Sequence, residues 1–223
     1  MYTAIIIEPR KHPAFLYVVK NALSVLDCNV IIYHGNLNKN FVQRMVAYIS
    51  DNRVSTVHLN IDNFTHNEYS VFLKTNKEFY ESIPTDTFLM FQLDSILFKK
   101  NKHLIHQFLK YDYVGAPWEV NEVGNGGLSI RKKSKMLEII EKEPYNDDPE
   151  DVFFSMNKTV PLNKPSAKEA AHFSVENVYE AVTLGSHQPW KQKHTNFYTL
   201  YPELVEFEKL HNLKPQRRQT ILP

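Results

Sequence analysis

From Ala4 to Phe91 the chain alternates short apolar runs with stretches of helical periodicity, and few architectures accept that alternation. Ala4–Ile7, Val30–Tyr33, Thr56–Leu59 and Thr87–Phe91 are short runs bounded by polar or turn residues, so they read as strands, most of them buried. Between them, 12–26, 41–49 and 68–80 carry apolar residues at helical spacing, with Phe15, Val18, Val19, Ala22, Leu23 and Leu26 in the first. Strand and helix in regular succession predict right-handed crossovers and a mostly parallel sheet flanked by helices, an α/β class. Beyond Asp94 the pattern weakens. Residues 104–109, 134–143, 149–157 and 204–210 read as helices, whereas 113–115, 127–131 and 172–175 read as extended. No repeat, low-complexity block or linker is evident. The expectation is one domain over residues 1–200, with a nucleotide-binding front half and an acceptor-side back half, then a helix and tail over 201–223.

Composition narrows the function classes. A net charge of +1 over 223 residues gives no electrostatic footprint for nucleic acid or an anionic membrane. Lys214, Arg217 and Arg218 read as a solvated tail. The single cysteine, Cys28, excludes an internal disulfide framework and a cysteine-based zinc cluster, and fits a reducing compartment. No apolar run approaches the roughly 20 residues of a membrane span. The opening run meets Glu8 and Arg10 rather than a cleavage site, so a cytoplasmic protein is expected.

The run Phe88–Phe91 leads through Gln92 and Leu93 into Asp94 and Ser95. A carboxylate is costly inside a core, so Asp94 belongs at the strand's carboxyl end, where open α/β sheets bind ligands. Carboxylate followed by hydroxyl suits a divalent cation bridging nucleotide phosphates. The plainer alternative is a turn initiator or helix cap. Gly124, Gly126 and Gly127 cluster around Asn125, which suggests close approach of the main chain to a ligand, or simply a tight turn into the next strand. Glu150 and Asp151 open a helical segment, where acids also favour the helix dipole. Arg10, His34 and Asn36 follow the first two strands on the expected ligand edge. Arg10 can offer a guanidinium to a diphosphate and Asn36 can meet a base or ribose, although both also suit ordinary loops. Trp118 and Trp190 can stack on sugar faces or anchor the core. Neither G-x-G-x-x-G after the first strand nor G-x-x-x-x-G-K-[ST] occurs, so a bound nucleotide would rely on a metal and scattered polar contacts.

The order of these features resembles the GT-A glycosyltransferase fold: an acid motif after a central strand, a glycine-rich acceptor segment, a Glu-Asp pair and a late histidine. The finer resemblance is to the glycosyltransferase-like family catalogued as domain of unknown function 5672. It is carried by Glu8-Pro-Arg-Lys-His-Pro13, Phe91-Gln-Leu-Asp-Ser95, Tyr113-Val-Gly-Ala-Pro-Trp118, Val123-Gly-Asn-Gly-Gly-Leu-Ser129, Pro149-Glu-Asp-Val-Phe-Phe154, Phe173-Ser-Val-Glu176 and His187-Gln-Pro-Trp190. The likeness spans about residues 3 to 195. It implies a GT-A-like, Rossmann-like fold and a nucleotide-sugar glycosyltransferase using a UDP-sugar donor and a glycan or other hydroxyl acceptor. Asp94 and His187 would be metal ligands, for Mn²⁺ in preference to Mg²⁺, since the set mixes nitrogen with oxygen. Gln92 stands where the usual motif has an acid, and would serve the ribose or the loop, with Ser95 beside it on the donor side. Asp151, flanked by Glu150, would be the general base of an inverting transfer. Asn125, Gly126, Gly127, Trp118 and Trp190 would line the acceptor side. Two other classes remain: a noncatalytic carbohydrate- or nucleotide-binding module on the same fold, and a sugar-nucleotide nucleotidyltransferase. The glycine-free segment Glu8–Pro13 argues against the second.

Overall fold

The computed structural model describes residues 1–118 and 122–212. In chain order the elements are β1 (Thr3–Ile7), α1 (Phe15–Val25), β2 (Asn29–His34), α2 (Lys39–Ile49), β3 (Val54–His58), α3 (His66–Thr75), α4 (Lys77–Glu81), β4 (Thr87–Phe91) and β5 (Ser95–Leu97). There follow α5 (Ile105–Phe108), β6 (Tyr113–Gly115), β7 (Leu128–Lys132), α6 (Lys133–Lys142), α7 (Glu150–Ser155), α8 (Ala167–Phe173), β8 (Ser174–Val175), β9 (Gly185–His187), α9 (Thr195–Leu200) and α10 (Leu204–Leu210). Lys214, Arg217 and Arg218 lie outside the described residues, so the expected basic tail is untouched by the structure.

The main sheet has six strands in the order β3-β2-β1-β4-β7-β6. β1 to β4 are parallel, and β7 runs antiparallel to both β4 and β6. This is the mostly parallel α/β sheet expected. Alternate residues of its central strands feed two cores, one on each face. Ala4, Ile6, Leu89 and Phe91 join Phe15, Val19 and Ala22 of α1 in one. Ile5, Ile7, Phe88 and Met90 join Leu73 of α3, Tyr80 of α4, Met136 of α6 and Phe154 of α7 in the other. Strands covered on both faces have no polar side to show, which is why they read as continuous apolar runs. Each fully buried apolar side chain of this size contributes about 1.5–3 kcal/mol relative to exposure.

Among the boundaries that differ from expectation, three have a local reason. The helix expected over 68–80 is two: Asn76 adopts a non-helical backbone at φ −92° and ψ 89°, and its side chain caps Phe79 N to start α4. The extended stretch expected over 172–175 shrinks to β8, because Ser166 and Glu169 form a reciprocal capping box that launches α8 through Phe173. β3 begins at Val54 rather than Thr56 and is largely exposed, as befits an edge strand.

The topology gathers the functional candidates at one edge. β1, β2 and β4 end at Ile7, His34 and Phe91 on the same side. Since β7 is antiparallel, pairing Leu128 with Phe91, the glycine run before it enters at that edge too. A second sheet, β5-β9-β8, pairs Ser95 with His187 and so delivers the late histidine beside Asp94.

Candidate functional site

The turn after β4 is braced on the glycine run. Ser95 Oγ accepts from Gln92 N at 2.9 Å and donates to Gly127 O at 2.7 Å. Gln92 N also donates to Gly127 O at 2.9 Å. Ser95 is buried and its hydroxyl engaged, so it shapes the turn rather than facing the cleft as expected. Asp94 Oδ1 lies 3.3 Å from His187 Nε2, and Oδ2 accepts from Gln188 Nε2 at 2.9 Å. Gln188 adopts a left-handed backbone, φ 47°, to reach it. The imidazole lies directly over Gly127: a Cβ there would collide with Cδ2 and Nε2 and sit 2.7 Å from Cε1. Among the described residues no glycine has positive φ, so Gly127 answers a need for space, not for a special turn.

Charge is strongly organised here. Burial would raise the Asp94 carboxyl, but His187 and Gln188 hold it down at about 2. Burial opposes charge on His187, yet Asp94 and Glu176 outweigh it and push the imidazole up to about 9. Glu176 Oε1 lies 3.6 Å from His187 Nδ1. Neither ring nitrogen makes a hydrogen bond of normal geometry.

On the other flank, Asp151 Oδ2 accepts from Gly126 N at 3.2 Å and Oδ1 from Val152 N at 3.0 Å. Burial, reinforced by neighbouring Glu150, raises its carboxyl above the ordinary aspartate value. Glu150, paired with Asp151 in the sequence reading, has a separate task. It accepts both arms of the fully buried Arg131 guanidinium, Nη1 at 2.6 Å and Nη2 at 3.0 Å. An Arg–carboxylate pair of this bidentate kind is geometrically specific, and it leaves neither Glu150 oxygen turned to the cleft. A Cβ on Gly126 would collide with Glu150 Oε1, so the second glycine clears this ion pair. Lys74 completes the frame, its Nζ donating to Asn146 O at 2.7 Å and Asp148 O at 2.8 Å just ahead of α7.

A cleft of about 440 Å³ opens beside Asp94, walled by Glu8, Arg10, Phe64, Tyr69, Gln92 and Trp190 among others. Glu8, buried at the end of β1, accepts Arg10 Nε and Nη2 at 2.8 Å each. Trp190, expected with the acceptor residues, borders this cleft instead, its ring 5.3 Å from His211 and 6.3 Å from Phe207. The three-residue turn Pro189–Lys191 after β9 carries it there. His34 is buried against His58, with ring centroids 5.3 Å apart, and is not among the residues lining the cleft. Asn36 is exposed and donates to Asp62 at 3.0 Å. Asn125 is buried with its amide spent: Nδ2 donates to Glu176 at 2.6 Å and Oδ1 accepts from Gly127 N at 3.1 Å. Trp118 is half-buried and its ring abuts Gly124. The structure thus joins Asp94, His187, Gly127, Gly126 and Asp151 into one arc, with Arg10, Gln92 and Trp190 at its cleft end. It leaves His34 and Asn36 on neighbouring strand ends.

Sequence reasoning missed Arg131, Glu176 and Glu8. The first was legible as a cation inside the apolar strand Leu128–Arg131, which demands a buried partner.

Among the described residues no group of three or more His, Cys, Asp or Glu side chains is arranged to hold a metal ion. The donor pair Asp94 and His187 nonetheless fits a cation completed by a ligand's phosphates. A buried imidazole with an unsatisfied Nε2 faces a carboxylate oxygen at a gap too long for a good hydrogen bond.

The fold is that of the GT-A glycosyltransferases, a mixed α/β domain with a mainly parallel six-stranded sheet. It is shared with the glycosyltransferase GlyE of Streptococcus pneumoniae TIGR4, at 10% identity and TM-score 0.55 over 94% of this chain and 62% of that one. S. aureus TarS 1-349 matches at 12% identity and TM-score 0.52, over 92% of this chain and 64% of that one. TarS in complex with UDP-GlcNAc matches at 12% identity and TM-score 0.51, over 93% and 66%. The chain spans under two thirds of these neighbours' lengths. No curated protein is significantly similar in sequence. Residues 53–189 match the family described as Protein of unknown function (DUF5672), and the chain belongs to that family. No helix among the described residues is long and apolar enough to cross a membrane.

Proposed function

We propose that this protein is a metal-dependent glycosyltransferase that takes a sugar from a nucleoside diphosphate, UDP by resemblance, to an acceptor hydroxyl with inversion. The observation that carries this reading is the Asp94–His187 pair, 3.3 Å apart at the carboxyl edge of the sheet and beside a cleft bordered by Arg10. Asp94 and His187 would hold a divalent cation, Mn²⁺ in preference to Mg²⁺, which when bound supplies charge to stabilise the departing diphosphate. Arg10 would meet the same diphosphate: Glu8 takes its Nε and Nη2, which leaves Nη1 to donate to an anion. Trp190 offers a flat apolar wall to the donor rather than the acceptor. Gly126 makes room for the Glu150–Arg131 pair beside Asp151, and Gly127 for the His187 ring beside Asp94.

Asp151 accepts the proton from the acceptor hydroxyl as that oxygen attacks the anomeric carbon. Its two backbone hydrogen bonds fix the carboxylate, and its raised pKa makes it a stronger base than an ordinary aspartate. Glu150 is withdrawn from proton transfer by Arg131 and acts by holding the start of α7 in place.

The test is calorimetric titration of UDP with and without Mn²⁺, followed by Mn²⁺-dependent hydrolysis across a panel of UDP-sugars. Mn²⁺-dependent binding together with hydrolysis, both lost in Asp94→Ala, supports the enzyme. Equal UDP affinity after chelation, with no turnover of any donor, favours a noncatalytic binding module.

A further inference from the structure

Glu176 follows β8, and the parallel pairing of Val175 with Ser186 carries it directly to His187 on β9. Its side chain is 5% exposed, and it draws three groups together. Oε2 accepts from Asn125 Nδ2 at 2.6 Å, Oε1 is paired with Lys191 Nζ, and Oε1 lies 3.6 Å from His187 Nδ1. The carboxylate therefore touches the glycine run through Asn125, the Trp190 turn through Lys191, and the back of the imidazole.

A histidine ring has two nearly equivalent settings about its outer torsion, and a flip exchanges each nitrogen with a carbon. Contact with Gly127 depends on shape, and ring nitrogen and carbon are nearly equal in size, so it does not choose which edge faces Asp94. A carboxylate at Nδ1 does choose: it favours the setting that puts N–H toward Glu176 and Nε2 toward Asp94. Metal-ligating imidazoles commonly donate their other N–H to a carboxylate in this way. At 3.6 Å the contact is ionic rather than a formed hydrogen bond, and such contacts tighten once a ligand engages the far nitrogen.

We propose that Glu176 is a positioning residue that sets the His187 imidazole with Nε2 presented to the cation site beside Asp94. This rests on the reading of Asp94 and His187 as cation ligands.

The experiment is electron paramagnetic resonance of Mn²⁺ titrated into the full chain with UDP, for wild type, Glu176→Ala and Glu176→Gln. Electron spin echo modulation reports imidazole nitrogen on the metal. Wild type should bind Mn²⁺ with a nitrogen modulation. Glu176→Ala should weaken Mn²⁺ by about 10–100-fold, as removal of such an outer carboxylate does elsewhere, and the nitrogen modulation should be lost with the ring's setting. Glu176→Gln, which keeps one acceptor oxygen, should fall between the two while retaining cooperative melting and near-ultraviolet circular dichroism. Should the alanine variant fail to fold, the glutamine variant alone decides, by a weaker affinity in a folded protein. Wild-type affinity and modulation in the folded variants would overturn the role of Glu176. Absence of Mn²⁺ binding in wild type would instead remove the donor-site reading and this proposal with it.

Discussion

Gly127→Ala is the sharpest perturbation this site offers, because one methyl group meets one ring. The added Cβ would overlap His187 Cδ2 and Nε2 and lie 2.7 Å from Cε1. Ordinary contact is about 3.5 Å, so the imidazole must retreat by about 1 Å or the strand must shift. Gly127 has no positive φ, so alanine brings no backbone strain and restricts the unfolded chain, a gain of about 0.4–1 kcal/mol. Overpacking costs about 1–3 kcal/mol, which leaves a net loss of at most about 2.6 kcal/mol. At about 2–4 °C per kcal/mol for a chain of this size, the melting temperature drops by no more than about 10 °C. A 1 Å misplacement of a site group costs about 100-fold in rate. Gly127→Ala should therefore remain folded at 25 °C while Mn²⁺-dependent UDP-sugar hydrolysis falls about 100-fold, measured by UDP release alongside a melting curve. A folded variant that hydrolyses donor at the wild-type rate would refute the claim that the glycine exists to seat His187.

Asp151→Asn should leave UDP–Mn²⁺ affinity unchanged by calorimetry and reduce transfer by about 10²–10⁴-fold, because it removes only proton acceptance. The acid limb of the wild-type pH–rate profile should lie above the ordinary aspartate value of 3.8, following the raised Asp151 carboxyl. Arg131→Met should lower stability by about 3–5 kcal/mol in urea melts, since it strands Glu150 as an unpaired buried charge. Adding Glu150→Gln to that variant should recover much of the loss. In chelator, the His187 contribution to stability is complete below pH 6.5 and disappears as pH rises through about 9, because the folded imidazole is the more basic. The Asp94 contribution is complete above pH 3.8 and disappears as pH falls through about 2, because the folded carboxyl is the more acidic. In Asp94→Asn the Asp94 contribution in the acid window should vanish, and the slope in the alkaline window should shrink but persist, because Glu176 still raises the imidazole.

The sheet was legible because its central strands are covered on both faces, so that Ile5, Ile31, Leu89 and their neighbours form unbroken apolar runs. The edge strand was read two residues late, since Val54–His58 alternates weakly and is half exposed. The capping box Ser166–Glu169 starts α8, so the extended stretch expected over 172–175 begins two residues later, at Ser174. At the site, acids at strand and helix ends stand out by position, as Asp94 and the Glu150–Asp151 pair do, whereas the base role of Asp151 comes from the resemblance. Two of their supports do not stand out, because Arg131 and Glu176 act through partners distant in sequence: Glu150 is 19 residues from Arg131 and Asn125 is 51 from Glu176. Glycine clustering suggests close approach of the main chain to a ligand or a tight turn. In the structure the room is occupied by side chains of the protein itself, His187 over Gly127 and Glu150 beside Gly126.

Crystals grown with UDP and Mn²⁺ and measured at the manganese absorption edge test the central claim most directly. The account predicts one anomalous peak at bonding distance from both Asp94 and His187 Nε2, touching the diphosphate, with UDP in the cleft between Arg10 and Trp190. A nucleotide bound elsewhere, or a peak that leaves the Asp94–His187 contact as it stands without metal, would contradict it.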